Sequence, residues 1–322
     1  MQSKNISNKN SRVRWGEKPY YSLDYYLKEH FGQKIYKIAL DAGMTCPNRD
    51  GTLGTRGCIF CSNGGSGEFA IPFAGEHSIT GQIEKAIAFL DSRKKYTGES
   101  FIAYLQSFSN TYAPVKKLQM IYCEILRHPK IAGLSIGTRP DCFSEEIYDL
   151  LEECSQKKPV WVELGLQTMH EKTAKFIRRG YSLPVFEECV KNLKKRRLSV
   201  VTHIILGLPG ESTQDILQTV EYLNEQKIDG IKFQLLHILK GTDLARMLPG
   251  LKIYTQEEYI SLLLKCIAHL SPDIVIHRMT GDGAKELLLA PDWSRNKRNV
   301  LNQIAHAMKE QNIYQGKEAA CI

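Results

Sequence analysis

Between residues 35 and 276, short β-branched or apolar runs alternate with longer amphipathic stretches, and this alternation leaves the chain few architectures. Strand-like runs fall at 35–41, 101–106, 133–136, 160–164, 200–206 and 230–236. Helical periodicity falls near 80–90, 115–127, 144–154, 171–178, 185–195 and 213–224. Strands and helices that alternate over about 200 residues indicate an α/β fold, a parallel sheet with crossover helices. Most of the strand runs are apolar on both faces, which predicts helices on one side and a packed interior on the other. Residues 251–322 change character, with a helix near 256–270, a short strand at 273–276 and a basic helix near 295–310. They read as a C-terminal extension packed on a core of residues 19–250, with 316–322 expected to fray.

Residues 1–18 are polar and basic and lack the apolar stretch of a secretory signal, so they read as a flexible arm. No run approaches the roughly 18 apolar residues of a membrane span, so no membrane partner and a cytoplasmic location are expected. Lys and Arg number 43 against 35 Asp and Glu, a formal charge of +8 that permits a polyanionic partner without requiring one. The nine cysteines are odd in number and unevenly spread, a set that points to metal or catalysis ahead of disulfides.

Three of them stand out. Cys46, Cys58 and Cys61 lie in one glycine-rich loop directly after the first strand run, with eleven residues between the first two and two between the last pair. Gly51, Gly54 and Gly57 let that backbone fold tightly and expose amides to thiolate or sulfide. Three thiolates in such a loop suit three corners of an iron–sulfur cube with the fourth iron open. A structural zinc site is the competing assignment, but it needs four ligands, and no fourth is marked nearby. Phe60 reads either as a core aromatic or as a ring on which an adenine stacks beside an open iron. The other cysteines form no Cys-x-x-Cys pair and read as small buried hydrophobes.

The loop, with its aromatic before the last cysteine, resembles the radical S-adenosylmethionine (radical SAM) superfamily. Ile136–Asp141, Glu163–Gln167, Arg178–Tyr181, His203–Glu211, Leu236–Thr242 and Arg278–Asp282 agree in order and spacing with its YtqA/YhcC-type branch. There is a more distant likeness to the radical SAM core of the elongator catalytic subunit. The resemblance implies an incomplete (β/α)6 barrel of the TIM type, a [4Fe–4S] cluster on Cys46, Cys58 and Cys61, and S-adenosylmethionine on the open iron. Electron transfer from the cluster would cleave the sulfonium and give a radical that abstracts a substrate hydrogen. It further implies an electron donor such as flavodoxin or ferredoxin.

On this likeness adenine is expected at Phe60 and at the backbone of Leu206, Gly207 and Leu208. The ribose is expected at Gln167 and the methionine carboxylate at Arg179, whose guanidinium can bind it bidentately, although Arg178 could exchange roles with it. Where other branches carry Gly-Gly-Glu for the amine, this chain offers Gln106, Ser107 and Asn110. Thr138 stands where other branches place an acidic ribose contact, beside Arg139. Arg139, His203, His237, Lys240 and Arg278 are candidates for the substrate pocket and catalysis.

The same likeness implies tRNA as partner and a reaction at the wobble uridine, from a carboxymethylaminomethyl to an aminomethyl side chain. The run 191–197 reads first as a solvated helix end and second as an RNA contact, while the stretch 293–298 with the basic arm mixes cations with an aromatic and is a candidate RNA contact. A porphyrin or small metabolite is the alternative substrate. A non-catalytic RNA-binding protein with structural zinc is the alternative class.

Overall fold

The computed structural model describes residues 15–71, 79–92, 99–281 and 283–319. Seven strands form one parallel sheet: β1 (Tyr36–Leu40), β2 (Phe101–Leu105), β3 (Ile131–Thr138), β4 (Val160–Gln167), β5 (Ser199–Leu206), β6 (Gly230–Leu235) and β8 (Val275–Arg278). Their order is β1-β2-β3-β4-β5-β6-β8, so β1 and β8 are its two edges. A separate antiparallel pair, β7 (Ile238–Leu239) with β9 (Leu288–Ala290), follows the end of β6.

Helices α2 (Ile79–Ser92), α3 (Val115–Arg127), α4 (Glu145–Ser155), α6 (Leu183–Lys195), α7 (Thr213–Glu225) and α9 (Gln256–His269) cover the outer face. In α7, Ile216, Leu217, Val220 and Leu223 recur at helical spacing and are buried against the sheet. Its start is fixed by a capping box between Ser212 and Asp215, and α9 begins with another between Thr255 and Glu258. The helix expected at 171–178 stops early: α5 spans Glu171–Phe176, and Arg178 takes a left-handed backbone at φ 57°. Four short helical pieces escape the periodicity: α1 (Leu23–Phe31), α8 (Asp243–Met247) and two single turns, Leu248–Gly250 after α8 and Asp292–Arg295 before α10 (Lys297–Glu310), the basic helix expected near 295–310. The C-terminal strand, expected at 273–276, falls at Val275–Arg278 and adds a seventh strand beside β6.

The sheet is strongly curled. Lys232 on β6 lies 4.2 Å from the ring centre of Tyr104 on β2, four strands away. In a flat sheet those strands would be about 19 Å apart, at roughly 4.8 Å per strand. The curl makes an open barrel whose bottom is plugged by Ile35, Ile102, Trp161 and Val201, with Leu27 of α1 packed beneath. The basic arm lies outside the described residues up to position 14; Trp15 is buried and stacks on Tyr21 at 5.6 Å. Of the C-terminal stretch expected to fray, 316–319 are described, and the Gly316 and Glu318 amides donate to the carbonyls of Ile267 and Ala268.

The expected apolar interior is corrected at mid-height, where each strand turns a polar side chain inward. Glu163 on β4 is the centre of this layer and is 1% exposed. Its Oε1 accepts from Lys37 Nζ at 2.8 Å and Ser135 Oγ at 2.5 Å. Its Oε2 accepts from His203 Nε2 at 2.7 Å and from Lys232 Nζ. Burial by itself would raise the carboxyl pKa, but Lys232, then Lys37 and His203, hold it well below the ordinary range. Burial pushes Lys232 down to about 7, opposed by Glu163 and reinforced by Lys37 and Arg278. Burial and the Lys232 charge lower His203 to about 4, so its imidazole is neutral and donates from Nε2.

Glu163→Gln removes the one anion that answers the buried Lys232 and the half-buried Lys37, and breaking a buried ion pair costs about 3–5 kcal/mol. Because the folded pKa of Glu163 lies below its unfolded value, its contribution is present above about pH 4.3 and is lost as pH falls toward the folded value. Urea denaturation of the E163Q variant is therefore expected to show that loss near neutrality. The deficit against wild type is expected to narrow on acidification below about pH 4.

Candidate active site

The segment after β1 builds the mouth of the barrel, at the C-terminal ends of the strands where such sheets carry their sites. Its first turn is closed by the Arg49 amide donating to the Cys46 carbonyl at 2.8 Å. Asn48 Nδ2 ties the loop to the turn after α5, donating to the carbonyls of Arg178 at 2.8 Å and Arg179 at 3.2 Å. Arg49 folds across Gly57 and donates to the carbonyls of Cys61 at 3.0 Å and Ser62. Gly57 sits at φ 71°, and a Cβ there would lie 3.0 Å from Arg49 Nε, so the turn needs glycine twice over. A tight turn follows, with the Cys61 amide donating to the Cys58 carbonyl at 3.0 Å.

These contacts bring Cys46, Cys58 and Cys61 to one cavity of about 240 Å³, each a free, half-buried thiol. Burial raises the Cys46 pKa and pushes Cys58 up to about 12, and the neighbouring thiols add to both shifts. Three soft sulfur donors thus face one opening, and a bound metal would favour their thiolate form. Among the described residues no group of three or more His, Cys, Asp or Glu side chains is gathered to hold a single ion. Three thiols on one loop at a single opening suit three corners of an iron–sulfur cube with the fourth iron open.

Around the same cavity stand Phe60, Gln106, Thr138, Arg139, Gln167, His203, His237 and Arg278, all singled out from the sequence. Phe60 packs with the apolar group of Ile59, Ile177 and Leu244. Gln106 Nε2 donates to the Ser66 carbonyl at 2.7 Å. Thr138 Oγ1 lies 2.6 Å from Thr111 Oγ1 and 3.3 Å from Ser109 Oγ. Arg139 is held by Asp141 through Nε at 2.9 Å and Nη2 at 2.6 Å. Gln167 ends β4 with a left-handed backbone, φ 69°. Arg278 Nη1 reaches Gln234 Oε1 at 3.5 Å.

The other candidates are placed differently. Arg179 borders the cavity but is 2% exposed, with its donors committed: Nε to the Tyr181 carbonyl, Nη1 to Thr168 O at 2.7 Å and Nη2 to Glu171 Oε1 at 2.9 Å. It is an internal staple, and a carboxylate ligand would have to displace these partners. Arg178 is turned onto Asp243, which Arg56 also meets at 2.7 Å. Asn110 spends its amide on the carbonyls of Leu105, Ser107 and Gly137, stitching the ends of β2 and β3. Ser107 is buried beneath Gly67. Leu206 and Leu208 belong to the core, Gly207 packs on Tyr254, and Lys240 is exposed away from the cavity. Of these residues only Arg179 lines the cavity.

The surface RNA candidates are also largely occupied. Lys191 meets Glu188 at 3.5 Å, Lys194 meets Asp229 at 2.8 Å, and Arg196 meets Glu145 and Asp149. Trp293 donates from Nε1 to the Tyr254 carbonyl at 2.9 Å and packs on Tyr259, so its ring serves the fold.

Glu163 and Tyr104 also line the cavity and were not singled out, nor were Lys37, Lys232 and His277 in the polar layer beside them. A signal was there: Lys37, Glu163 and Lys232 are each a charged residue set inside a short, largely apolar strand run. No helix among the described residues is long and apolar enough to cross a membrane.

Residues 51–223 match the family model of the Radical SAM superfamily, and 228–310 match that of the Radical_SAM C-terminal domain. YtqA of Bacillus subtilis is 40% identical over 94% of this chain and 93% of its own length. YhcC of Escherichia coli is 35% identical over 89% of this chain and 91% of its own. A tRNA-2-methylthio-N(6)-dimethylallyladenosine synthase of Alkaliphilus oremlandii is 27% identical over 55% of this chain and 39% of its own. The structure of archaeal Methanocaldococcus infernus Elp3 superposes with a TM-score of 0.64 at 16% identity, over 87% of this chain and 64% of that one, a likeness of fold. The partial barrel, the three thiols at its mouth and these matches agree: the chain belongs to the radical SAM superfamily, whose cofactors are a [4Fe–4S] cluster and S-adenosylmethionine.

Proposed function

We propose that this enzyme modifies the wobble uridine of tRNA, trimming a carboxymethylaminomethyl side chain to aminomethyl. The observation that carries the reading is the polar wall of the cavity. Gln106, Gln167 and Gln234 set three primary amides around one opening. The edge of a uracil alternates carbonyl acceptors with an imino donor, and an amide side chain answers both. A tetrapyrrole asks instead for broad apolar walls, whereas this wall also carries Thr138, His203 and Arg278. An unpaired anticodon base enters such an opening without any duplex being melted. The likeness to a tRNA-2-methylthio-N(6)-dimethylallyladenosine synthase supports tRNA as the substrate class.

When bound, the cluster and S-adenosylmethionine supply hydrogen-atom abstraction, with electrons from an external donor such as flavodoxin or ferredoxin. The chain's own part is placement. Cys46, Cys58 and Cys61 hold the cluster, and Phe60 offers its ring to adenine. Arg139, fixed by Asp141, stands beside the thiols with its charge, lowering the pKa of Cys46 and Cys58 against the effect of burial. Ile205 and Leu239 line the wall and help keep water from the reacting carbon.

Two outcomes are expected. Each of Cys46→Ala, Cys58→Ala and Cys61→Ala, reconstituted anaerobically with iron and sulfide, is expected to lose the brown absorbance and nearly all bound iron, read by visible spectroscopy and iron analysis. In a strain lacking the gene, mass spectrometry of tRNA nucleosides is expected to show carboxymethylaminomethyluridine accumulating and its aminomethyl descendants disappearing. An unchanged nucleoside profile would sink the tRNA reading while leaving the family assignment intact.

A further inference from the structure

A second cavity, of about 390 Å³, opens at the seam between the edge strands β1 and β8. Lys37 and Ala39 border it from β1, Lys232 from β6, and His277 and Arg278 from β8. It shares Tyr104, Gln106 and Arg278 with the cysteine-lined cavity, so the two spaces meet at those side chains. The sheet stays open at this seam because β1 and β8 do not pair, and the opening is floored by cations.

The charge there is one-sided. Three cationic side chains line the seam cavity, and among the described residues no carboxylate does. Glu163 lies behind the floor and answers Lys37 and Lys232 with a single charge. Those ammonium groups are already fixed, Lys232 buried and Lys37 half-buried, by Glu163 and by the Tyr104 ring, at 5.3 Å for Lys37 and 4.2 Å for Lys232. A preorganised, low-dielectric cation pair attracts an anion more strongly than hydrated surface lysines do. A separate observation points the same way. His277 Nδ1 is buried and has no hydrogen-bond partner. The ring is seated in space that Gly230 leaves open, where a Cβ would come within 2.7 Å of Nε2. Burial holds this imidazole neutral, leaving it able to donate one hydrogen bond.

We propose that the seam cavity is an anion subsite that takes a carboxylate carried by the substrate, with Lys37, Lys232, Arg278 and His277 around it, while the reacting carbon stays in the cysteine-lined cavity. This rests on the wobble-uridine reading, in which the side chain to be trimmed ends in a carboxylate. Charge-assisted hydrogen bonds would draw that end into the seam and thereby fix the carbon next to it. A phosphate of the RNA backbone has the same attraction for these cations, so the test separates the two sources.

The test measures equilibrium binding, by fluorescence anisotropy without reductant, to the anaerobic cluster-loaded enzyme with S-adenosylmethionine. The probes are two anticodon stem–loops identical except that the wobble side chain ends in a carboxylate or in its carboxamide. Wild type is expected to bind the carboxylate form about tenfold more tightly, in line with a charge-assisted contact. Lys37→Gln leaves the Lys232–Glu163 pair in place, and it and Arg278→Gln are each expected to erase most of that preference. Equal binding of both stem–loops by wild type would give the cations to the backbone and overturn the subsite alone. A preference that survives both substitutions would also overturn it. Binding of neither stem–loop would overturn the wobble-uridine reading and the subsite together. The wild-type comparison decides the matter even if a variant fails to fold.

Discussion

One ionised carboxylate in the middle of a barrel sets the terms for what surrounds it. An isolated buried charge costs several kcal/mol, so Glu163 is tolerable only where cations and donors reach both of its oxygens. The reach requires curl, because Lys37, Ser135, His203 and Lys232 come from four different strands and only a rolled sheet brings them together. The layer therefore works as a register device. A strand slipped by one residue would turn its polar group into the apolar helix layer and present Glu163 with a hydrophobe.

The same layer explains why the barrel is hollow above its plug. In a filled parallel barrel, layers of branched apolar side chains occupy the interior. Here apolar filling stops with Trp161, Ile102 and Val201, and the polar layer begins one turn of the pleat higher. What remains between it and the mouth is space bounded by hydrogen-bonding groups. The cysteine loop roofs this space, and its position depends on few contacts: Asn48 to the turn after α5, and Arg49 across Gly57. The thiols and the polar floor thus face each other across a gap that neither created alone, and this is where a cofactor at the loop and a substrate above the floor would meet.

Much of the fold was legible in the sequence because helix and strand periods follow from burial of one face, which local pattern records. The six strand runs and the outer helices fall within a few residues of their expected places. Arg179 and Asn110 carry the right functional groups at the right places in the chain, yet the Arg179 donors go to backbone carbonyls and to Glu171, and Asn110 Nδ2 goes to strand-end carbonyls while its Oδ1 is buried without a partner. No local pattern says whether a polar group will meet a ligand or a neighbouring strand end. Helix α1 escaped notice because its partner is the barrel bottom, distant in sequence, and only Leu27 among its residues is fully buried.

The linear order of residues settled the crossover topology, the three thiols on one loop and the family, since each depends on spacing along the chain. It also held the polar residues of β1, β4, β6 and β8, in plain view but without meaning. Folding gave them meaning by curling the sheet. Lys37 and Lys232 are separated by nearly the whole core in sequence, and they share one carboxylate only because long-range pairing curls seven strands about it. Electrostatic partners and cavities are properties of distance in space, and those distances exist only once the sheet has curled.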